Sequence, residues 1–356
     1  MHNLKKYNLT DFLLLLSKQK NIILFIYCLI IFFGGIRFSD INNLYQISLK
    51  DNFQNFISQD IWIAYGVSAE YLYDSPMKII LVKIIPSNKL FISFLFLIIN
   101  FLPFIFLFIK KNLDRVLLIS IFIFSPILKI LFLNIGSGDG VLVFLILLAF
   151  FLDKKFHIAL CFFVMGLWHP QQSFFIFFSY FIGSYCMRNE MDGKKFLLCA
   201  ISMFLSFLVY IYYKQYFFPD IIGRSTTLIE NFNLVLLRNI NYLFFILLPL
   251  VLWFYIFFPK IFRYNFLLYS WILLLIILSL LVLDSTRVLI ITLLPIMCFA
   301  IRNTLSFSKR SVNNYLLFII VAINIISPTI SWSGKDWMLY YDIVNDICNH
   351  FQICLA

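Results

Sequence analysis

Four short clusters of polar and charged residues interrupt a chain that is otherwise almost continuously apolar. A charged group at membrane depth costs roughly 2.5–3.5 kcal/mol on insertion, so each cluster is a candidate for function. The first is Arg37-Phe38-Ser39-Asp40. A carboxylate such as Asp40 can serve as a general base on a hydroxyl, and Arg37 can hold an anion; equally, the two can close a helix as an interfacial ion pair. The second is Asn134-Ile135-Gly136-Ser137-Gly138-Asp139-Gly140. Three glycines allow close backbone approach and an apolar helix starts directly after them, a pattern that suits anion binding, with Asp139 either reactive or a simple helix cap. Lys129, ten residues before Asp139, adds a cation near the same end. The third is Trp168-His169-Pro170-Gln171-Gln172. His169, Gln171 and Gln172 offer hydrogen bonds to a sugar or diphosphate, or else satisfy backbone carbonyls inside a bundle. The fourth is Asp284-Ser285-Thr286-Arg287. An arginine at a helix start suits a phosphate; the alternative has Asp284 or Ser285 capping the helix while Arg287 snorkels to the interface.

The elements that must carry these clusters are membrane helices. Of 356 residues, 62% are hydrophobic and only 13% charged, with mean hydropathy +0.94. That is about half the charge a soluble globular chain carries, so a soluble enzyme or disordered chain is excluded. The expected fold is all-α and polytopic, a single transmembrane domain of about eleven helices. They are placed near 21–36, 90–109, 116–133, 141–152, 156–168, 173–187, 196–213, 242–258, 266–283, 288–301 and 314–330. The first apolar run lacks a small-residue cleavage site and reads as a retained anchor.

The net charge of +11 is a topology signal. With the N-terminus cytoplasmic, the inside turns hold Lys110, Lys111, Arg115, Lys154, Lys155, Arg188, Lys194, Lys195 and further basic groups, 17 of the 28 in all, against 5 of the 17 acidic residues. All four polar clusters then face outward. The two long connections, about 37–89 and 214–241, are external, as is the tail 331–356. In the first, Phe53, Phe56, Ile57, Ile61 and Ile63 alternate with polar residues as interfacial helices do. The uncharged stretch between Lys155 and Arg188 must cross and return, with arms of about 13–15 residues, roughly 20 Å each. Its turn at His169 therefore lies below the outer membrane surface, in protein or in a wet cavity.

Several chemistries have no residues to support them. The basic groups form no stripe with exposed aromatics, so nucleic acid is not expected as a partner. There is no Walker loop, dinucleotide fingerprint or GxSxG elbow, and no cytoplasmic loop large enough for a catalytic domain. The four histidines and seven cysteines show no metal-ligand spacing, so neither metal nor cofactor is expected.

The order of Asp139, the Lys154-Lys155 turn, Gly166 and Trp168-His169-Pro170-Gln171, with a late Arg287-to-Pro295 element, resembles the core of GT-C-type integral-membrane glycosyltransferases. Length and span number also resemble bacterial O-antigen and capsule polymerases. Together these resemblances cover about half the chain, near 30–180 and 284–300. They imply glycosyl transfer from a polyprenyl-(di)phosphate-linked donor at the outer face of the inner membrane, amid membrane lipid, with a chain-length regulator and a flippase as possible partners. Asp40 would be the acceptor-activating base, with Asp139 or Asp284 as the fallback, because the adjacent acidic pair common in the first loop of GT-C enzymes is absent here. Arg287, with Lys129 and Arg37, would hold the phosphate leaving group, and Asp139, His169, Gln171 and Gln172 would position sugar or phosphate. A flippase for lipid-linked oligosaccharide is the rival class.

Overall fold

The computed structural model describes residues 9–34, 41–49, 75–133, 135–188, 192–217, 250–254, 265–280, 285–307 and 319–323. Arg37, Asp40, Asp284, the stretch Phe53–Ile63, the loop beyond 217 and the tail 331–356 lie outside the described residues. Every regular element described is a helix. Three are long and apolar enough to cross a membrane: Lys89–Ile109, Gly193–Tyr216 and Arg287–Leu305. Shorter apolar helices accompany them, and the architecture fits a helical membrane protein.

In chain order the helices are α1 (Leu9–Lys18), α2 (Lys20–Gly34), α3 (Ile41–Leu49), α4 (Pro76–Ile84), α5 (Lys89–Phe101), α6 (Ile105–Ile109), α7 (Asn112–Phe124) and α8 (Ile127–Leu133). They continue with α9 (Asp139–Phe151), α10 (Lys155–Trp168), α11 (Pro170–Arg188), α12 (Gly193–Phe217), α13 (Phe266–Leu280) and α14 (Ser285–Phe307). Where both are described, these ends match the expected helices within about four residues, except that α14 runs six residues past the expected end at 301. One departure is the run 116–133, which breaks at Ser125-Pro126 into α7 and α8, since proline cannot donate to the preceding turn. Another is α11, which starts at Pro170 and runs 19 residues, longer than the return arm expected.

The reversal between α10 and α11 is set locally. Pro170 disfavours helical backbone at His169, whose φ is −152° and ψ 83°. The His169 N–H still donates to the Met165 carbonyl at 2.9 Å, and its own carbonyl accepts from the Ser173 N–H at 3.0 Å. The Ser173 hydroxyl donates to the same Met165 carbonyl at 2.6 Å, tying the two arms together.

Helix α14 is apolar all round and buried along most of its length, as a central helix must be. Helices α9 and α11 lie beside it and run in the same direction. Asp139 meets Arg287 at one end of the α9–α14 contact, while the Phe150 and Phe299 rings meet near the other, 5.1 Å apart. On α11, Tyr180 packs on Phe299 at 5.3 Å, Gly183 faces Ile296 and Phe299, and the Met187 carbonyl accepts from the Asn303 amide at 2.7 Å. Helix α5 and its continuation α6 also run parallel to α9, with Asn100 beside Gly140 and Phe106 beside Phe144.

The C-terminal ends of α9 and α14 and the starts of α10 and α12 gather the basic turns at one end of the bundle. There Lys110 lies over the Phe151 ring, Arg302 over Phe150, and Lys195 donates to the Tyr180 hydroxyl at 2.8 Å. Asp192 caps α12 by accepting the N–H groups of Lys194 and Lys195, and it pairs with Lys155. The Lys155 ammonium, then these backbone donors, hold its carboxyl below the usual aspartate range. What stability the cap and pair contribute is present above that ordinary range and fades as pH falls through the lowered value. Because the pair is exposed, Asp192→Asn should leave the neutral-pH melting temperature nearly unchanged and flatten its acid dependence, as a melting series against pH would show.

Gly140 has no room for a side chain: a Cβ there would strike the Ile99 carbonyl and the Asn100 Cα, both backbone atoms that cannot rotate away. Gly193 has nothing within 4 Å of its Cβ position. Gly140→Ala should therefore lower stability in detergent by about 1–3 kcal/mol, while Gly193→Ala changes it little, as judged by thermal melting of both purified variants.

Candidate functional site

The glycine turn is held from two sides. Asn100, fully buried on α5, donates its amide to the Ile135 carbonyl at 3.0 Å and accepts the Gly140 N–H at 2.9 Å. From the end of α10, the Trp168 indole N–H donates to the Gly138 carbonyl at 3.0 Å. Gly138 adopts φ 68°, a left-handed conformation that other residues rarely take, and a Cβ on it would meet the Trp168 ring at 2.6 Å. Gly138, not Asp139, stands at the N-cap position of α9. The Asp139 carboxylate makes no cap bond and is aimed elsewhere.

It is aimed at Arg287. The Arg287 Nε and Asp139 Oδ2 are 3.6 Å apart, with side chains 12% and 3% exposed. That separation is an ion pair but too long for a hydrogen bond, and Oδ2 accepts none among the described residues. Both groups sit in the first turn of their helices. The helix dipole favours a carboxylate there and disfavours a guanidinium, so Arg287 depends on a negative neighbour.

Gln172 enters the same end of the bundle from α11. Gln172, Ile176, Tyr180, Gly183 and Met187 form one stripe at helical spacing, and the last three touch α14. Continuing that parallel pairing about three turns toward the N-termini sets Gln172 against the first turn of α14, which carries Arg287. Gln172 is 3% exposed, and neither its Oε1 nor its Nε2 has a hydrogen-bond partner among the described residues. A buried amide left so costs about 1–3 kcal/mol for each unmatched group, which makes it a ligand group in waiting.

The structure thus pairs Asp139 with Arg287, from two of the four clusters, and buries Gln172, from a third, on the face of α11 that turns toward α14. His169 is half-buried at the hinge, and Gln171 is exposed, turned away from the bundle. Lys129 is buried on α8, one short helix before the glycine turn. Helix α3, which begins one residue after Asp40, packs against the short 3-10 turn Ile135–Ser137 that leads into Asp139. The glycine turn is a poorer anion cradle than its composition suggests. Asn100 takes the Gly140 N–H, the Val141 N–H returns to the Gly138 carbonyl at 3.1 Å, and the adjacent carboxylate is negative.

The site is also recessed. From Asn100, level with Gly140, α5 continues back to Lys89, about 16 Å along its axis. Helix α3 packs against both α5 and α4, with the Ser87 hydroxyl donating to the Ser48 carbonyl at 2.9 Å. No group of metal-binding side chains occurs among the described residues.

Asn100 and the Trp168 indole were not among the expected site residues, because neither carries a charge and each acts only through a backbone group distant in the chain. A lone amide in the middle of the apolar run Leu90–Ile109 was the available signal. Asn100→Leu leaves the Gly140 N–H and the Ile135 carbonyl without their partner. It should cost about 2–4 kcal/mol in thermal melting and disable the site, although Asn100 itself touches neither Asp139 nor Arg287 through any hydrogen bond described. Compared with protein-family models, curated proteins and solved structures, the chain matches none.

Proposed function

We propose that this protein is a membrane glycosyltransferase that works at the outer face of a bacterial inner membrane on polyprenyl-linked sugar, and that it polymerises O-antigen or capsule repeat units. The observation that carries the reading is the buried Asp139–Arg287 pair, recessed at the end of the bundle opposite the basic turns; the buried, unsatisfied Gln172 amide on α11 supports it. By the positive-inside rule the basic end is cytoplasmic, so the site opens outward. A guanidinium at a helix start suits the phosphate of a lipid-linked donor, and a neutral amide suits sugar hydroxyls or phosphate oxygens.

In this scheme Arg287 holds the developing charge on the leaving phosphate, the larger part of what such a site can contribute. Asp40 takes the proton of the acceptor hydroxyl, since the helix that follows it packs at the glycine turn. Asp139 is the fallback base. The recessed position keeps bulk water from the donor, and the lipid tail would leave sideways into the bilayer.

Arg287→Ala is a poor test, because it strands a buried carboxylate at a cost of about 3–5 kcal/mol. Arg287→Lys keeps the charge and loses the planar fork. Arg287→Lys and Asp40→Ala should each abolish long-chain polysaccharide at unchanged protein level, read on gels of surface polymer. Normal chain length in both variants rejects the assignment. A gene deletion separates the rival class: a polymerase mutant still exports a single capped repeat unit, whereas a flippase mutant exports none.

A further inference from the structure

We propose that the N-terminus of α4 is a phosphate-binding seat, built from the Ser75 hydroxyl, the Lys78 side chain and the backbone N–H groups of the first turn, and that it takes the phosphate or diphosphate of the lipid-linked donor. The phosphate chemistry follows from α4 itself, whereas the identity of the donor rests on the glycosyl-transfer reading above.

Helix α4 has Ser75 at its N-cap, Pro76 at the first helical position and Lys78 at the third. A serine at the N-cap ordinarily accepts an N–H two or three residues on, and a glutamate or glutamine at the third position reaches back to complete a box. Neither half of that arrangement forms here. The Ser75 hydroxyl makes no cap bond, and its Oγ is buried with no hydrogen-bond partner among the described residues. The place of the glutamate is taken by Lys78, which donates and cannot accept. Met77 and Lys78 belong to the first turn, whose N–H groups have no acceptor inside the helix. Ile79 is the first to bond back, to the Ser75 carbonyl at 3.2 Å.

Burial makes this collection of donors consequential. Ser75 is 2% and Lys78 3% exposed, while Met77 between them is exposed and Ile84, at the other end of α4, is 77% exposed. The helix therefore enters the bundle with its N-terminus first and keeps an open edge at Met77. A cation in the first turn opposes the helix dipole, so a buried lysine there calls for negative charge. Lys78 has other interactions of its own, and Asp74 lies outside the described residues. What stays unmet is the Ser75 hydroxyl. Ser75 and Lys78 are three residues apart, on neighbouring positions of one helix face, so no distant packing is needed to bring the set together. A phosphate fits it, because several acceptor oxygens can take the hydroxyl, the lysine and the N–H groups at once, with the dipole in favour.

Packing ties the seat to the candidate site. Helix α3 packs against α4 and against the Ile135–Ser137 turn that leads into Asp139. Helix α4 also packs on α10, whose Trp168 holds the Gly138 carbonyl, and it leads directly to the start of α5.

The full chain, purified in detergent and placed in phosphatidylcholine nanodiscs, would be titrated with inorganic pyrophosphate, farnesyl diphosphate and farnesol by calorimetry and thermal melting. Both diphosphates should bind and raise the melting temperature, and farnesol should do neither. Ser75→Ala should weaken both diphosphates roughly tenfold, the loss of one hydrogen bond to a charged group. Ser75→Asp puts a carboxylate where the phosphate goes. It should melt at or above the wild-type temperature, through a completed cap, and lose the diphosphate response. Undiminished diphosphate binding by both Ser75 variants overturns the seat; if Arg287→Lys then abolishes binding, the reading of the Arg287 site stands without it. Loss of binding in the Ser75 variants alongside normal polymer from Arg287→Lys and Asp40→Ala keeps the seat and rejects glycosyl transfer. Stabilisation by phosphatidylglycerol nanodiscs that Ser75→Asp removes, with no response to farnesyl diphosphate, makes the occupant a membrane-lipid headgroup and overturns the donor assignment. No response of the wild type to any phosphate overturns the seat outright.

Discussion

A carboxylate and a guanidinium buried between two helix ends set the demands that the rest of this bundle meets. Taking each ion out of water costs several kcal/mol, and the mutual attraction offsets that only if the two are held at the right place. Neither helix end could do so alone. Asp139 is aimed by the turn behind it, which is fixed by Asn100 and the Trp168 indole. Arg287 is aimed by α14, whose packing against α9 and α11 continues down to Phe150, Gly183 and Asn303. Contacts far down the bundle thus determine the distance between two charges at its end.

The parallel run of α9, α11 and α14 has an electrostatic result. Three helix N-termini are brought to one end and the basic turns to the other. At the basic end the cations lie over aromatic faces or pair with Asp192, all in reach of water. At the polar end the Asp139–Arg287 pair is buried. Well-packed apolar side chains in place of such a pair are often neutral or stabilising, so a buried ion pair is weak evidence of stability by itself.

Much of the helical layout was legible in the residues. Apolar run lengths, the Lys154-Lys155 turn and Pro170 place the ends of α9, α10 and α11 closely, because membrane-length helices and proline breaks are local properties. The split of α7 from α8 at Ser125-Pro126 was missed, since an apolar run reads as continuous when only hydropathy is weighed. Asn100 was missed as well, because a single amide in such a run has meaning only through what lies across from it. Gln171 and Gln172 look equivalent as neighbours in sequence. A rotation of about 100° around the helix separates their fates, the first exposed and the second buried.

By itself the sequence determined that the chain is helical and apolar enough for a membrane, where most of its long apolar helices lie, and that four polar clusters need explaining. Those are consequences of hydropathy, charge and backbone geometry within a few residues. Only the tertiary structure decided which clusters meet. Four described helices, α10 to α13, separate Asp139 from Arg287 in the chain, and their contact depends on the direction and register of helices packed in parallel. It also decided that the glycine turn is clamped by Asn100 and is not an open anion cradle, because a hydrogen bond between residues 40 apart leaves no local trace.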